Sequence, residues 1–196
     1  FQTDRLVKAI NTLDAAALGV MELENSFKLT FGTAAKSGDS AKYLVNALNK
    51  ASTSGKWAYI DPTPLRQQAV ASQDVMYPGI IYQPAKVKPL INGQLTLTNQ
   101  SGAGQPFANA RAPFGQAFTP VGGGEPFFLV ANHFKSKSSP GAGAEADLGE
   151  GGWNASRTAQ AKALADWVNG PALNTLATNT GVAVKDVVLV GDFNAY

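Results

Sequence analysis

The sequence predicts a layered α/β sandwich with mixed sheets. Segments of helical periodicity alternate with short apolar runs, which alone would suggest a doubly wound parallel sheet. The middle of the chain, however, sets several strand-like runs in succession, and those demand antiparallel pairing. With 196 residues, 44% of them hydrophobic and 15% charged, the chain can bury one sizeable core, so a single domain over residues 1–196 is expected.

Residues 3–16 place Leu6, Val7, Ile10 and Leu13 at three- and four-residue spacing, the mark of an amphipathic helix. The run 18–23, LGVMEL, reads as a short buried strand. A second helix is expected over about 39–52, capped by Asp39 or Ser40, with Tyr43, Leu44, Val45 and Leu48 as its apolar face. KWAYI at 56–60 is a strand candidate. In PGIIYQPAKVKPL (78–90) one strand is broken at Pro84 and another runs through Val87, since proline cannot donate to a ladder. QLTLTNQ (94–100) alternates like an edge or surface strand. PFGQAFTPV (113–121) and EPFFLVANHF (125–134) form a hairpin around the glycine turn 122–124. Small residues over about 138–152 make a flexible loop insertion. Asn154 or Ser156 opens a third helix with Ala163, Leu164 and Trp167 facing inward, and a connecting segment leads to the buried strand DVVLVGDF.

Bulk properties narrow the function. A net charge of +2 is too small for a purely electrostatic nucleic-acid binder. The absence of cysteine removes a disulfide framework, a thiolate zinc site and a cysteine nucleophile. No apolar run approaches the roughly 20 residues of a membrane helix, so no membrane association is expected.

Four places put polar groups at the end of an apolar strand: Glu22, His133, the pair Asp192 and Asn194, and Arg111. Each has an ordinary structural explanation when taken singly, such as a solvated carboxylate or an Asx turn. Their combination is more informative. Glu22 and Asp192 could supply the carboxylate oxygens that a hard divalent cation prefers. His133, Arg111, Lys135 and Asn194 suit the oxygens of a phosphate diester. Residues two apart on a strand point the same way, so Asp192 and Asn194 would share a site while Phe193 packs inward.

The succession MELEN, DVMYPGIIYQPAKV, R-x-P-F-x-Q-x-F, NHFKSK, WNASR and GDFNA resembles the endonuclease/exonuclease/phosphatase superfamily. Within it, the pattern is similar to bacterial extracellular nucleases related to pancreatic deoxyribonuclease. The resemblance implies a four-layer α/β/β/α sandwich of two mixed sheets flanked by helices. It implies phosphodiester hydrolysis by in-line water attack, in an extracellular or periplasmic endonuclease acting on DNA or RNA. Mg²⁺ or Mn²⁺, with Ca²⁺ as a further option, would be the cofactor; nucleic acid would be the partner, with no obligate protein partner. Glu22 would hold the metal, and Asp192 the metal or the attacking water. His133 and Asn194 would brace the phosphate, with Arg111 contacting it. Asp74 falls where the subfamily often has an aspartate, and Arg157 would serve as a structural pair or a phosphate contact. The chain lacks the family's upstream asparagine and its final Asp-His pair, so a segment incomplete at both termini, inactive alone, is expected. A phospholipid- or phosphate-ester hydrolase, or a binding fragment without catalysis, are the other readings.

Overall fold

The structure, a computed structural model, describes residues 2–29, 40–52, 56–62 and 74–195. The elements run α1 (Gln2–Leu13), β1 (Ala17–Glu24), α2 (Ser26–Leu29), α3 (Ser40–Ala51), β2 (Ala58–Tyr59), β3 (Met76–Tyr82), β4 (Val87–Thr96), β5 (Arg111–Pro120), β6 (Phe127–His133), α4 (Asn154–Val168), α5 (Pro171–Thr180) and β7 (Asp186–Asp192).

Two sheets stack face to face. The first has the order β1-β3-β2 and is antiparallel throughout. The second, β4-β5-β6-β7, is mixed: β4, β5 and β6 are antiparallel neighbours, and β7 joins β6 in parallel. Ile80, Phe114, Phe118, Leu129 and Ala131 fill the space between the sheets, each worth roughly 1.5–3 kcal/mol of burial for the larger side chains. Val7 and Ile10 of α1 and Leu44, Val45 and Leu48 of α3 cover the outer face of the first sheet. Leu164 and Val168 of α4 and Leu176 of α5 cover the outer face of the second, over Phe128 and Val130. The layers are therefore α/β/β/α, as expected; among the described residues the first sheet is antiparallel and the second mixed.

Several local expectations change. Leu6, Leu13 and Tyr43 stand exposed, because each helix needs only a narrow apolar stripe against the sheet. Helix α1 stops at Leu13, where Asp14 takes a left-handed φ of 48°. Ser40 Oγ donates to the Glu24 carbonyl, tying α3 to β1; Asp39 lies outside the described residues. Strand β4 runs unbroken from Val87 to Thr96, absorbing the first part of QLTLTNQ, and it does sit at a sheet edge. The connecting segment contains helix α5, started by Pro171 and stopped by Gly181 at φ 70°, the usual proline-in, glycine-out asymmetry. Strand β7 is not a buried strand: it is the outer strand of its sheet, with Val188 and Leu189 about 40% exposed.

The 138–152 loop is anchored in several places. Ser156 Oγ donates to Glu145 at 2.7 Å, and Trp153 N donates to the Glu145 carbonyl. The Arg157 guanidinium, 5% exposed, donates to the carbonyls of Gly152, Gly151, Glu150 and Lys135.

Strand β1 carries a bulge. Val20 pairs with Gly79 and Leu23 with Tyr77, so three steps on β1 match two on β3. Glu22 occupies the bulge with a left-handed φ of 60°. The extra residue lets Val20 and Leu23, three apart in sequence, pack into the same apolar cluster with Tyr77 and Ala41. On a regular strand they would face opposite sides.

Candidate active site

The second sheet brings three of the expected side chains side by side. Arg111, at the start of β5, pairs in register with His133, at the end of β6, and His133 pairs with Asp192, at the end of β7. Directly paired residues on neighbouring strands lie about 4.5–5.5 Å apart. The ladder is tight there: Phe134 N donates to the Asp192 carbonyl at 2.9 Å. Gly191 takes φ 144°, and a Cβ at that position would lie 2.0 Å from the Asn132 carbonyl oxygen. Only glycine admits that approach.

Glu22 arrives from the other sheet. Strand β1 crosses over β6 and β7, with Gly19 against Val190 and Ala131. The charge of Glu22 is felt at the His133 ring, together with those of Asp192 and Asp74. Bulges and left-handed non-glycine residues both re-aim side chains at some cost in backbone energy, about 1–3 kcal/mol. The exposed carboxylate this delivers has no hydrogen-bond or ion-pair partner among the described residues.

His133 is buried, and its Nδ1 has no partner among the described residues. Burial lowers its pKa from the usual histidine value, and the Arg111 cation lowers it further, against the opposing pull of Asp192, Glu22 and Asp74. The imidazole is therefore held neutral at physiological pH, able to donate one hydrogen bond and accept another.

Asp74 and Arg111 form an ion pair, Nε to Oδ2 at 2.9 Å. The N–H is not aligned on that oxygen, and the buried Nε–H makes no hydrogen bond. A second register shift on β5, between Arg111 and Phe114, sets the direction of Arg111. Asp74 also accepts from Met76 N at 3.4 Å, and its carbonyl accepts from Asn25 at 2.9 Å, so it links the end of β1 to β5.

Asn194 lies beyond the end of β7, in a left-handed turn with φ 52°. Its backbone N donates to Asp192 Oδ1 at 2.8 Å, and its amide donates to the Phe134 carbonyl at 3.1 Å. The simple strand alternation proposed for Asp192 and Asn194 is replaced by an Asx turn, in which one amide N–H is already engaged. Phe193 packs inward against Phe134, as expected. Lys135 Nζ sits 4.8 Å over the Trp153 ring. Both nitrogens of the Arg157 fork face loop carbonyls, which makes it a clasp for the loop and leaves no phosphate contact to derive from it.

Two residues escaped the sequence reading. Gln160, 1% exposed, accepts from Lys135 N at 3.0 Å and donates to the Pro106 carbonyl at 2.9 Å. Trp153 carries the cation of Lys135. A signal for Gln160 existed: Arg157, Gln160, Leu164 and Val168 are the buried face of α4, and two polar residues on such a stripe need partners.

Among the described residues no group of three or more His, Cys, Asp or Glu side chains is placed to hold a metal ion. What exists is a pair of carboxylates, Glu22 and Asp192, from different sheets. An all-oxygen set of one or two carboxylates is what Mg²⁺ and related hard ions accept when waters and a phosphate complete the shell. The donor chemistry fits such an ion.

No family model and no curated protein matches the sequence. Solved structures do match, each at low identity. All of this chain superimposes on 55% of a humanised TDP2 from D. rerio, with TM-score 0.54 and 14% identity. A Bacteroides thetaiotaomicron endonuclease/exonuclease/phosphatase family protein matches over 97% of this chain and 54% of its own, with TM-score 0.51 and 15% identity. A mannosyl-6-phosphatase from the same organism matches over 98% and 56%, with TM-score 0.52 and 14% identity. The chain thus spans little more than half the length of these proteins. Its two stacked sheets, with helices on both outer faces, share the fold of these solved structures, an endonuclease/exonuclease/phosphatase family protein among them.

Proposed function

We propose that this chain carries the phosphate-handling face of a divalent-metal-dependent phosphodiesterase, a nuclease acting outside the cytoplasm on DNA or RNA. The observation that carries this reading is the row Arg111, His133, Asp192 across three adjacent strands, with Glu22 delivered to it from the opposite sheet. Neutral His133 donates to a phosphoryl oxygen, and the Arg111 cation offsets the charge that grows on it. Asp192, fixed by Asn194 N, holds the water or the ion. Asn194 keeps the loop after β7 locked to the Phe134 carbonyl, and its remaining amide N–H braces the phosphate. Lys135 adds a cation at the rim. Glu22 and Asp192 would hold the Mg²⁺ or Mn²⁺, which when bound supplies Lewis-acid stabilisation of the phosphoryl charge. Loss of one such contact typically lowers the rate by on the order of 10²–10³.

Plasmid and bis(p-nitrophenyl) phosphate cleavage by the full-length protein, with Mg²⁺ and with EDTA, tests this. Activity that persists in EDTA, or in Glu22→Gln and Asp192→Asn, overturns it. The rival is a hydrolase of small phosphate esters, favoured by the likeness to a mannosyl-6-phosphatase; preference for a phosphomonoester sugar over any diester would select it.

A further inference from the structure

Next to the Asp74–Arg111 pair lies an open groove of about 670 Å³, lined by Asp74, Ser101, Asn109, Lys135 and Trp153 among others. Its charge is simple. The one acid, Asp74, is neutralised by Arg111 at 2.9 Å. Lys135 is the one cation, and among the described residues no carboxylate pairs with it.

That cation is also held still. Its backbone N is bonded to Gln160 and its carbonyl to Arg157. Its Nζ rests over the Trp153 ring. Trp153 is itself fixed: Nε1 donates to the carbonyls of Ser139 and Ser138 at 2.8 and 3.2 Å, and its backbone N donates to the Glu145 carbonyl. An ordinary surface lysine loses rotamer freedom when it binds; here the Trp153 ring already restrains the side chain. Ser101 also lines the groove, and its buried Oγ has no partner among the described residues. A tethered cation and an unmatched hydroxyl in one groove call for an anion.

We propose that this groove is a second phosphate subsite, which takes the phosphate adjoining the scissile one in a nucleic-acid strand. Lys135 is two residues from His133, at most about 7 Å of chain, the scale of one backbone step in an extended strand. The subsite rests on the phosphodiesterase reading and narrows it: the substrate is a polyanionic strand, not a small phosphate ester. Trp153 is a positioning residue that acts through Lys135.

The test is binding of labelled oligothymidylates to the full-length protein in EDTA, followed by fluorescence anisotropy. A dinucleotide has one internucleotide phosphate and a trinucleotide two. The trinucleotide should bind about tenfold tighter, as one charge-assisted contact allows, and its salt slope should be steeper by about 0.7. Trp153→Ala should abolish most of that step and Trp153→Phe should retain it. Ser101→Ala, in which only a hydroxyl is lost, should shrink the step and is the fallback where Trp153→Ala does not fold. Equal affinity for the two lengths, or a step unchanged in both Trp153→Ala and Ser101→Ala, overturns the subsite. Bis(p-nitrophenyl) phosphate hydrolysis is scored separately: its absence counts against the phosphodiesterase reading, while the length step is read from binding alone.

Discussion

Arg111 enters the candidate site as half of an ion pair, its Nε 2.9 Å from Asp74 Oδ2. The partners come from the start of β5 and from the segment just before β3, so the pair spans the two sheets at the rim of the site. Asp74 is partly exposed, with 41% of its side chain accessible, and such pairs contribute only about 0–1 kcal/mol to stability. Its use is orientation. Asp74→Asn is expected to leave the melting temperature within a few degrees and to lower kcat/KM for a diester about tenfold. Arg111→Ala should cost about 10²–10³. In the double variant the two losses should fall short of additivity, because both act through one guanidinium.

Glu22 should show function and stability pulling apart. Its left-handed backbone costs a non-glycine residue roughly 1–2 kcal/mol, and its exposed carboxylate makes no compensating contact among the described residues. Glu22→Gly is expected to hold or raise the unfolding free energy in urea, by up to about 1 kcal/mol, while Mg²⁺-dependent hydrolysis falls by at least about 10². A clear loss of stability would mean that the side chain has a structural role.

Gly191 is the most constrained position between β6 and β7. Any side chain would press on the Asn132 carbonyl at 2.0 Å from Cβ, and φ 144° suits glycine alone. Gly191→Ala is expected to cost more than about 3 kcal/mol, read as a large drop in denaturation midpoint or as failure to fold.

The link between α1 and the β3–β4 turn should be acid-sensitive. The Asp14 pKa is lowered by hydrogen bonds from Lys86 and Gln83, with Lys86 Nζ at 2.8 Å. The unfolded chain then takes up the proton before the folded one does. The contribution is present above pH 3.8, the ordinary value, and is lost as pH falls through the depressed folded value. Lys86→Met should therefore lower the melting temperature slightly at pH 6, and the two curves should converge in acid and in high salt.

Much of this was legible in the sequence because it is local. The turn at Gly122–Gly124, the break at Pro84 and the inward Leu164 and Trp167 follow from turn chemistry and periodicity. Strand-end positions for Glu22, His133 and Asp192 were readable for the same reason. Their convergence was expected from the combination of residue types and the resemblance, but not how it is built: it depends on β1 lying across β6 and β7, a long-range packing that no short motif encodes. The left-handed turn at Glu22 was equally hidden, since glutamate gives no hint of it. Helix α5 was missed although Gly170–Pro171 and Gly181 frame it, because its apolar stripe is short. Leu6 and Tyr43 misled for the opposite reason: periodicity reports that a residue could be buried, not that a neighbour arrives to bury it.

The bulge in β1 makes the length of that strand a matter of parity. Val20 and Leu23 share one apolar cluster only because an odd residue intervenes between them and their partners on β3. Excising Glu22 alone would close the bulge: Val20 and Leu23 would then stand two apart, the spacing that shares a face on a regular strand, so the facing would survive while the acid is lost. Removing both Met21 and Glu22 would make them neighbours and turn one half of the strand over, taking a leucine out from under α3. Natural variation in this stretch should accordingly tolerate loss of the bulge residue in the fold but not in the site.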